Sequence, residues 1–200
     1  MAFSVSQLLM GGDGLGTMDR QVESIKYSLQ WSNDSEYILQ EAQRFVEQYP
    51  KEYIGHVLLA QAYQKNKQLD FALKEIDLAI KMNKSNFDTH FLRLEILYES
   101  RKYSEVILGG KAIVDRFDAP GKVFELLGKA FQNIGKFDES IVCYEKAIAL
   151  GGTTQEIHTN LFEVKRVQYE KQHEVKSMEV LPESKKSAKI FTGKKNKKHS

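Results

Sequence analysis

A sequence pattern recurs at a long, fixed interval in this chain of 200 residues. Leu59-Ala60-x-x-Tyr63 returns as Leu127-Gly128-x-x-Phe131, and with the same shift of 68 positions Ala79 falls on Ala147. Because 68 is twice 34, the chain is predicted to consist of units of about 34 residues. A repeat restricts the fold strongly, since one small unit cannot bury its apolar face alone and must stack on its neighbours.

Helix-breaking residues divide each repeat into segments, and within these segments apolar residues recur at the spacing of a helix. Leu58, Leu59, Ala62 and Tyr63 recur as one apolar face of a helix would. No stretch alternates apolar and polar residues in the manner of a half-buried strand, so we predict an all-α domain. The breakers that separate its helices of about 12 to 15 residues are Asn33-Asp34, Pro50, Asn66, Ser85-Asn86, Pro120, Gly135 and Gly151-Gly152.

The unit resembles the tetratricopeptide repeat, a helix–turn–helix of the same length. The likeness is closest in the last unit, where Leu127-Gly128-x-x-Phe131 is followed by a turn glycine at Gly135 and an aromatic at Tyr144. The third unit departs from the pattern, with Arg93-Leu94 for a leucine and a small residue, and Gly110 for the aromatic. The resemblance implies a right-handed α-solenoid of about four helix pairs plus a C-terminal capping helix.

The repeat also predicts the organisation of the chain. Glycine is dense before residue 19, which indicates a flexible joint after a short apolar stretch. Thr153-x-x-Glu156 has the form of a capping box and is expected to open the final helix. The expected parts are a flexible segment 1–18, a repeat domain 19–174 with units 19–52, 53–86, 87–120 and 121–154 and a capping helix 154–173, and a disordered tail 175–200.

Charge is divided unevenly, although the formal net charge is only +2. The segment 184–200 holds seven lysines and no acid, whereas the segment 1–183 holds the other 22 basic and all 27 acidic side chains. A tail of this kind could bind an acidic partner or RNA through charge alone, or simply remain solvated. Its lysines are Lys185, Lys186, Lys189, Lys194, Lys195, Lys197 and Lys198.

The residues that carry chemistry do not form a recognisable catalytic or metal-binding pattern. Cys143 is the only cysteine, which excludes an internal disulfide, and it is expected to be a buried thiol. His56, His90 and His158 share one repeat position, but equivalent positions in stacked units lie too far apart for one metal ion, so we expect packing roles. We therefore predict no enzyme activity, no cofactor and no metal, and a cytoplasmic protein without a transmembrane segment.

The resemblance implies where a partner would bind. In this family the first helices of successive units line a concave groove, and ligands contact positions 2, 5, 9, 12 and 13 of each unit. Six of the twenty positions in this chain are large apolar residues, all within the first three units. The candidate groove residues are Tyr27, Trp31, Ile54, Val57, Gln61, Lys65, Phe91, Glu95, Tyr98, Lys122 and Lys129.

Exposed aromatic clusters are common recognition anchors, so the groove is expected to hold a peptide or helix of another protein. The alternative is that the weak first unit is out of phase and Trp31 packs inside. The Lys and Asn clamp by which some family members hold acidic chaperone tails is missing, since its positions are occupied by Glu23, Tyr27 and Leu58.

These features favour a non-enzymatic adaptor or scaffold, in one version a chaperone or assembly factor for a larger complex. The competing hypothesis is a nucleic-acid- or ribosome-associated factor that acts through the basic tail. A homo-oligomer is compatible with either, and the sequence does not identify the partner.

Overall fold

The computed structural model describes residues 16–152 and 154–179, with side chains described up to residue 173. All regular structure in these residues is helical. The helices are α1 Thr17–Trp31, α2 Ser35–Gln48, α3 Tyr53–Lys65, α4 Leu69–Met82, α5 Phe87–Glu99, α6 Tyr103–Arg116, α7 Gly121–Asn133, α8 Phe137–Ala149 and α9 Gln155–Glu179.

The helix boundaries follow the period of the sequence repeat. The second helices begin at Ser35, Leu69, Tyr103 and Phe137, each exactly one repeat after the one before. The first helices of the second, third and fourth pairs begin at the predicted unit starts, and α9 begins one further period along. The first pair is therefore in phase with the others, although its sequence match is the weakest.

Local signals explain where the helices start and turn. The Asp34 carboxylate accepts a hydrogen bond from the Tyr37 backbone N–H (2.9 Å), which caps α2. The turn within the fourth pair places Gly135 in the left-handed region, with φ 77°. Lys67 and Arg101 occupy the equivalent positions of the second and third pairs and adopt the same conformation, with φ 60° and 58°. Tertiary packing therefore imposes this turn even where no glycine favours it.

The structure corrects three of the predicted boundaries. Helix α1 begins at Thr17, directly after the last glycine of the run, rather than at residue 19. Helix α9 continues to Glu179 instead of ending at 173, because residues 174–179 contain no helix breaker. Its N-cap is Thr154, whose hydroxyl accepts the Ile157 N–H at 3.4 Å; Thr153 lies outside the described residues. The predicted flexible stretch up to residue 15 and the lysines of the tail also lie outside them.

The helices form two compact units, one up to Ala119 with α1–α6 and one from Pro120 with α7–α9. In the first unit a core cluster joins α1, α2 and α3, and a second joins α3, α4 and α5. Ile38, Phe45, Leu58 and Ile76 are almost completely buried in these clusters. Burial of each such side chain contributes about 1.5–3 kcal/mol, and this holds the first helices α1, α3 and α5 in place.

The fourth pair shows why the repeat needs a small residue in its first helix. Tyr144 of α8 is 0% exposed, and a Cβ atom added to Gly128 of α7 would lie 2.8 Å from its ring. The Tyr144 hydroxyl donates to Gln132 Oε1 (2.8 Å), and the Ser140 hydroxyl donates to the Gly128 carbonyl (2.8 Å). Glycine therefore lets the two helices approach closely enough for the ring to fill the seam.

In the third pair the large side chain is on the first helix and the small residue is on the second. Leu94 of α5 stands where α7 has Gly128, and a Cβ atom added to Gly109 of α6 would lie 2.8 Å from the Leu94 side chain. The large residue is on the first helix and the small one on the second, which explains the departure from the repeat pattern in this unit.

Candidate partner-binding surface

Two aromatic side chains stand out on α1. Trp31 is 66% exposed and Tyr27 is 53% exposed, and they lie one helical turn apart. Val22 and Ile25 of the same helix are buried, so α1 has a distinct core-facing side. The alternative prediction that Trp31 packs inside is therefore wrong, and these two side chains present adjacent apolar area to solvent.

The other predicted apolar positions are less accessible. Ile54 and Val57 of α3 are partly buried and pack against the two core clusters. Tyr98 of α5 is half-buried, with its ring edge-on to Tyr103 at a centroid distance of 5.4 Å. Phe91 is only 9% exposed, so its inclusion in an open groove is wrong.

The burial of Phe91 has a simple packing reason. Its ring stacks on Phe87, with 6.0 Å between centroids, and Phe87 in turn meets Phe117 edge-on at 5.7 Å. Phe117 follows the end of α6, a whole helix further along the chain. This aromatic group fixes the third pair internally and leaves Tyr27 and Trp31 as the exposed aromatic anchors among the predicted residues.

A recess of 350 Å³ lies at the C-terminal ends of α1, α3 and α5. Gln61 and Lys65 were predicted to face the partner, and Gln64 and Glu99 occupy two further groove positions of the repeat. Leu29 and Lys67 complete the lining and were not predicted. The repeat could have predicted Lys67 as a lining residue, because the left-handed turn that brings it there recurs at the equivalent position of each later pair.

Hydrogen bonds join the helix ends around this recess. The Lys65 ammonium donates to the Leu29 carbonyl at 2.6 Å, satisfying one of the last carbonyls of α1. On the other side, Gln64 Nε2 donates to Glu99 Oε2 (3.0 Å), and Lys67 Nζ lies 2.6 Å from Glu99 Oε1. The recess is thus held by contacts between three repeats, and its charges are mixed.

The Glu99 carboxylate is stabilised in its ionised form. Burial by itself raises the pKa of Glu99, but the hydrogen bonds from Lys67 and Gln64, together with the Lys67 charge, outweigh burial. The pKa of Glu99 therefore lies below its ordinary value. A lowered pKa in the folded state means that Glu99 stabilises the fold above its unfolded pKa and stops doing so as the pH falls through the folded pKa.

We predict that Glu99→Gln destabilises the protein by about 0.5 kcal/mol at neutral pH, in the range of partly exposed ion pairs. The difference from the unsubstituted protein should disappear in acid, where Glu99 is protonated. Urea unfolding followed by circular dichroism at both pH values checks this. Glu47→Gln, at an exposed position of α2, is the control; equal pH dependence of the two variants would contradict the role given to Glu99.

The charged candidates differ in their surroundings. Glu95 of α5 and Lys122 of α7 are exposed. Lys129 lies within the second unit, with its ammonium 2.7 Å from both Glu125 and Glu156. Burial opposes the charge of Lys129, but hydrogen bonds and attraction from these two glutamates raise its pKa. Lys129 therefore ties the first turn of α9 to α7, and its ammonium is already engaged by two glutamates.

The histidines and the cysteine have ordinary neighbours. His56 Nδ1 lies 2.8 Å from Glu75 Oε2, and the His90 Nε2–H donates to the Lys84 carbonyl at 2.9 Å. His158 is exposed rather than packed, and Cys143 is half-buried rather than buried. Within residues 16–152 and 154–173, no three side chains of His, Cys, Asp or Glu are grouped so that they could hold a metal ion.

No helix in the described part of the chain is long and apolar enough to cross a bilayer. Helix α9, with 25 residues, is the longest of these helices, but it is rich in charge.

Comparisons with known proteins identify the repeat. A family profile described as tetratricopeptide repeat matches residues 122–150, which correspond to the fourth helix pair. No curated protein matches the sequence. The fold is therefore compared best through solved structures.

Three solved structures illustrate the likeness. MamA, residues 41 to the end, from Desulfovibrio magneticus RS-1 has a TM-score of 0.67 at 14% identity, covering 92% of this chain and 99% of that one. PilF of Pseudomonas aeruginosa has a TM-score of 0.68 at 20% identity, covering 76% and 69%. TTC0263, a thermophilic tetratricopeptide repeat protein of Thermus thermophilus, has 0.61 at 15% identity, covering 74% and 80%. The helix pairs of this chain therefore have the fold of these repeat proteins.

Proposed function

We propose that this chain, which has the fold of tetratricopeptide repeat proteins, is a non-enzymatic adaptor that binds a peptide or helix of another protein. The binding surface in this proposal is the anchor surface, defined as Tyr27, Trp31 and the recess beside Lys65 and Glu99. Holding one subunit of a larger complex during its assembly is the biological role that we attach to it.

The main observation behind this proposal is that Trp31 and Tyr27 are both exposed, one turn apart on α1. Two large aromatic side chains left in water have no benefit for folding, whereas Trp and Tyr are the side chains that most often dominate binding energy. Val22 and Ile25 already anchor α1 to the core, so Tyr27 and Trp31 are not needed to hold the helix in place. Removal of this aromatic area from water upon binding would supply the main driving force.

The recess beside the anchors supports an elongated ligand. Its polar side chains come from α3, the turn that follows it and α5, while α1 contributes Leu29. A peptide that reaches from Trp31 towards Glu99 would pass Gln61 and Gln64. Lys65 and Lys67 stand against Glu99, which gives no strong preference for either sign of charge. The favoured ligand therefore has apolar anchors and mixed charge rather than a run of acids.

The test is affinity capture from the native cell with cross-linking, comparing matched variants. We expect the double variant Tyr27→Ala, Trp31→Ala to lose the specifically captured protein, with affinity reduced about thirtyfold to a thousandfold, because one anchor contributes about 2 kcal/mol and two contribute up to about 4 kcal/mol. Tyr37→Ala removes a similarly exposed aromatic from α2, outside the groove positions, and should capture as before. Equal capture by both variants would overturn the proposal.

Deletion of residues 184–200 separates the adaptor from the charge-driven alternative. On the adaptor proposal this variant captures the same protein with unchanged affinity. If deletion instead removes all association, and the association before deletion weakens steeply with salt, the basic tail is the binding element.

A further inference from the structure

A second recess lies on the third helix pair, away from the anchor surface. It has a volume of 260 Å³ and is formed by α4, α5 and α6. None of its lining residues occupies positions 2, 5, 9, 12 or 13 of a repeat. We call it the Arg93 recess, after the side chain of α5 that most distinguishes this pair from the others; Asp77, Ile113, Arg116 and Phe117 also line it.

The recess lies where α6 presents small residues towards α5. The second helix lines the recess with Gly109 and Ala112, which add little side-chain volume, and with the larger Ile113 and Arg116. Leu94 enters from α5 but does not replace the volume of an aromatic ring such as Tyr144, which fills the seam of the fourth pair. Ile113 and Phe117 supply apolar surface around the opening. A recess of 210 Å³ occupies the equivalent positions of the first pair, where Ile25, Glu41 and Arg44 line it. The Arg93 recess is therefore distinguished by its lining residues rather than by its place in the repeat.

Arg93 replaces a leucine of the repeat, since the equivalent positions are Leu59 and Leu127. Its Nε–H donates to Asp77 Oδ1 at 2.6 Å, and its side chain is 31% exposed. This bond uses one of several N–H donors, and a guanidinium retains further donors in a planar fork suited to a carboxylate. Arg93 therefore brings a guanidinium to the edge of an apolar recess.

The charges around the recess favour an anion. Arg93 and Arg116 line it, and Asp77, the one carboxylate among the lining residues, is already engaged by Arg93. The Arg116 guanidinium lies 5.3 Å from the centre of the Phe117 ring, which places a cation beside the apolar wall. His90, also in the lining, donates to the Lys84 carbonyl and adds no negative charge.

We propose that the Arg93 recess binds the carboxy-terminal residue of a partner protein whose last side chain is apolar and about the size of leucine. The volume is below the roughly 300–1,000 Å³ of small-molecule sites, so the space holds one residue. An apolar side chain and a carboxylate on the same residue occur together at a chain terminus. The side chain would lie among Leu94, Ile113 and Phe117, and the carboxylate would accept hydrogen bonds from Arg93 and Arg116.

The experiment uses the full chain labelled with ¹⁵N and the probe N-acetyl-leucine, followed by amide chemical shifts. We expect saturable shifts at Gly109 and Ala112 with a millimolar Kd, as befits a ligand of this size. N-acetyl-leucine amide, which lacks the carboxylate, and the variant Arg93→Gln should each bind about tenfold more weakly, the effect of a lost charge-assisted hydrogen bond. Arg44→Gln, which removes an arginine paired with Glu41 on α2, should bind normally.

Two further variants make the result decisive. Ala112→Leu at an exposed position of α6 fills the recess and should abolish the shifts even if Arg93→Gln perturbs folding. Tyr27→Ala, Trp31→Ala should leave the probe's affinity unchanged, so failure here is distinct from failure of the anchor surface. Equal binding of the acid and the amide, or no saturable shift at Gly109 and Ala112, would overturn the proposal.

Discussion

Replacing Tyr144 by alanine is expected to destabilise the fourth helix pair by about 3–5 kcal/mol, the range for deleting a buried aromatic side chain. The ring is completely buried against Gly128, and its hydroxyl donates to Gln132 at 2.8 Å. Truncation would leave a cavity that two helices cannot close, and it would remove the hydrogen-bond donor to Gln132. Such a loss is a large fraction of the stability of an ordinary domain.

Urea unfolding followed by far-UV circular dichroism measures this effect. Val142→Ala, in the same helix but at a position that is largely exposed, is the matched control and should cost less than about 0.5 kcal/mol. Trp31 emission reports on the first unit, so it helps to show which part of the chain unfolds. A cost below about 1 kcal/mol for Tyr144→Ala would contradict the structural role of the ring.

The second prediction concerns which of two contacting helices carries the large side chain and which carries the small one. Gly128→Leu alone should destabilise the protein by about 2–3 kcal/mol, because the added side chain meets the Tyr144 ring, although leucine is the better helix former. In the double variant Gly128→Leu, Tyr144→Ala the new side chain enters the space that the ring vacates. The two effects should therefore partly cancel, with a coupling of about 1–3 kcal/mol.

The third pair is the natural precedent for this double variant, since Leu94 and Gly110 stand at the positions equivalent to Gly128 and Tyr144, with the large residue on the first helix and the small one on the second. A thermodynamic cycle of the wild type, the two single variants and the double variant gives the coupling directly. Strict additivity of the two substitutions would show that the seam does not accept leucine from α7, and the explanation offered for the third pair would be wrong.

The sequence contains most of what determines the helices. The breakers Pro120 and Gly135 fall at helix boundaries of the repeat, and they predict the start of α7 and the turn before α8. The end of α9 was not predictable in the same way, because no residue before Pro182 stops a helix. Its start was misplaced by one residue because Thr153 and Thr154 are both good N-cap residues in the sequence.

The candidate surface was predictable only where exposure follows from repeat position. Trp31 and Tyr27 are exposed on α1, and that they line a partner-binding groove stays a prediction. Phe91 and Lys129 occupy groove positions too, but Phe91 is buried, and Lys129 is held by Glu125 and by Glu156 of α9, which is remote from it in sequence. Such partners are set by three-dimensional packing, which the repeat pattern does not encode.

The most direct test of the adaptor proposal is the emission of Trp31 during titration with the captured partner, since Trp31 is the only tryptophan of the chain. Its indole is 66% exposed, so the free protein should show the red-shifted emission and easy acrylamide quenching of a hydrated side chain. Binding at the anchor surface should shift the emission to the blue and protect Trp31 from the quencher, with saturation at the same concentration as the binding isotherm. Saturable binding that leaves both the emission and the quenching of Trp31 unchanged would contradict the account.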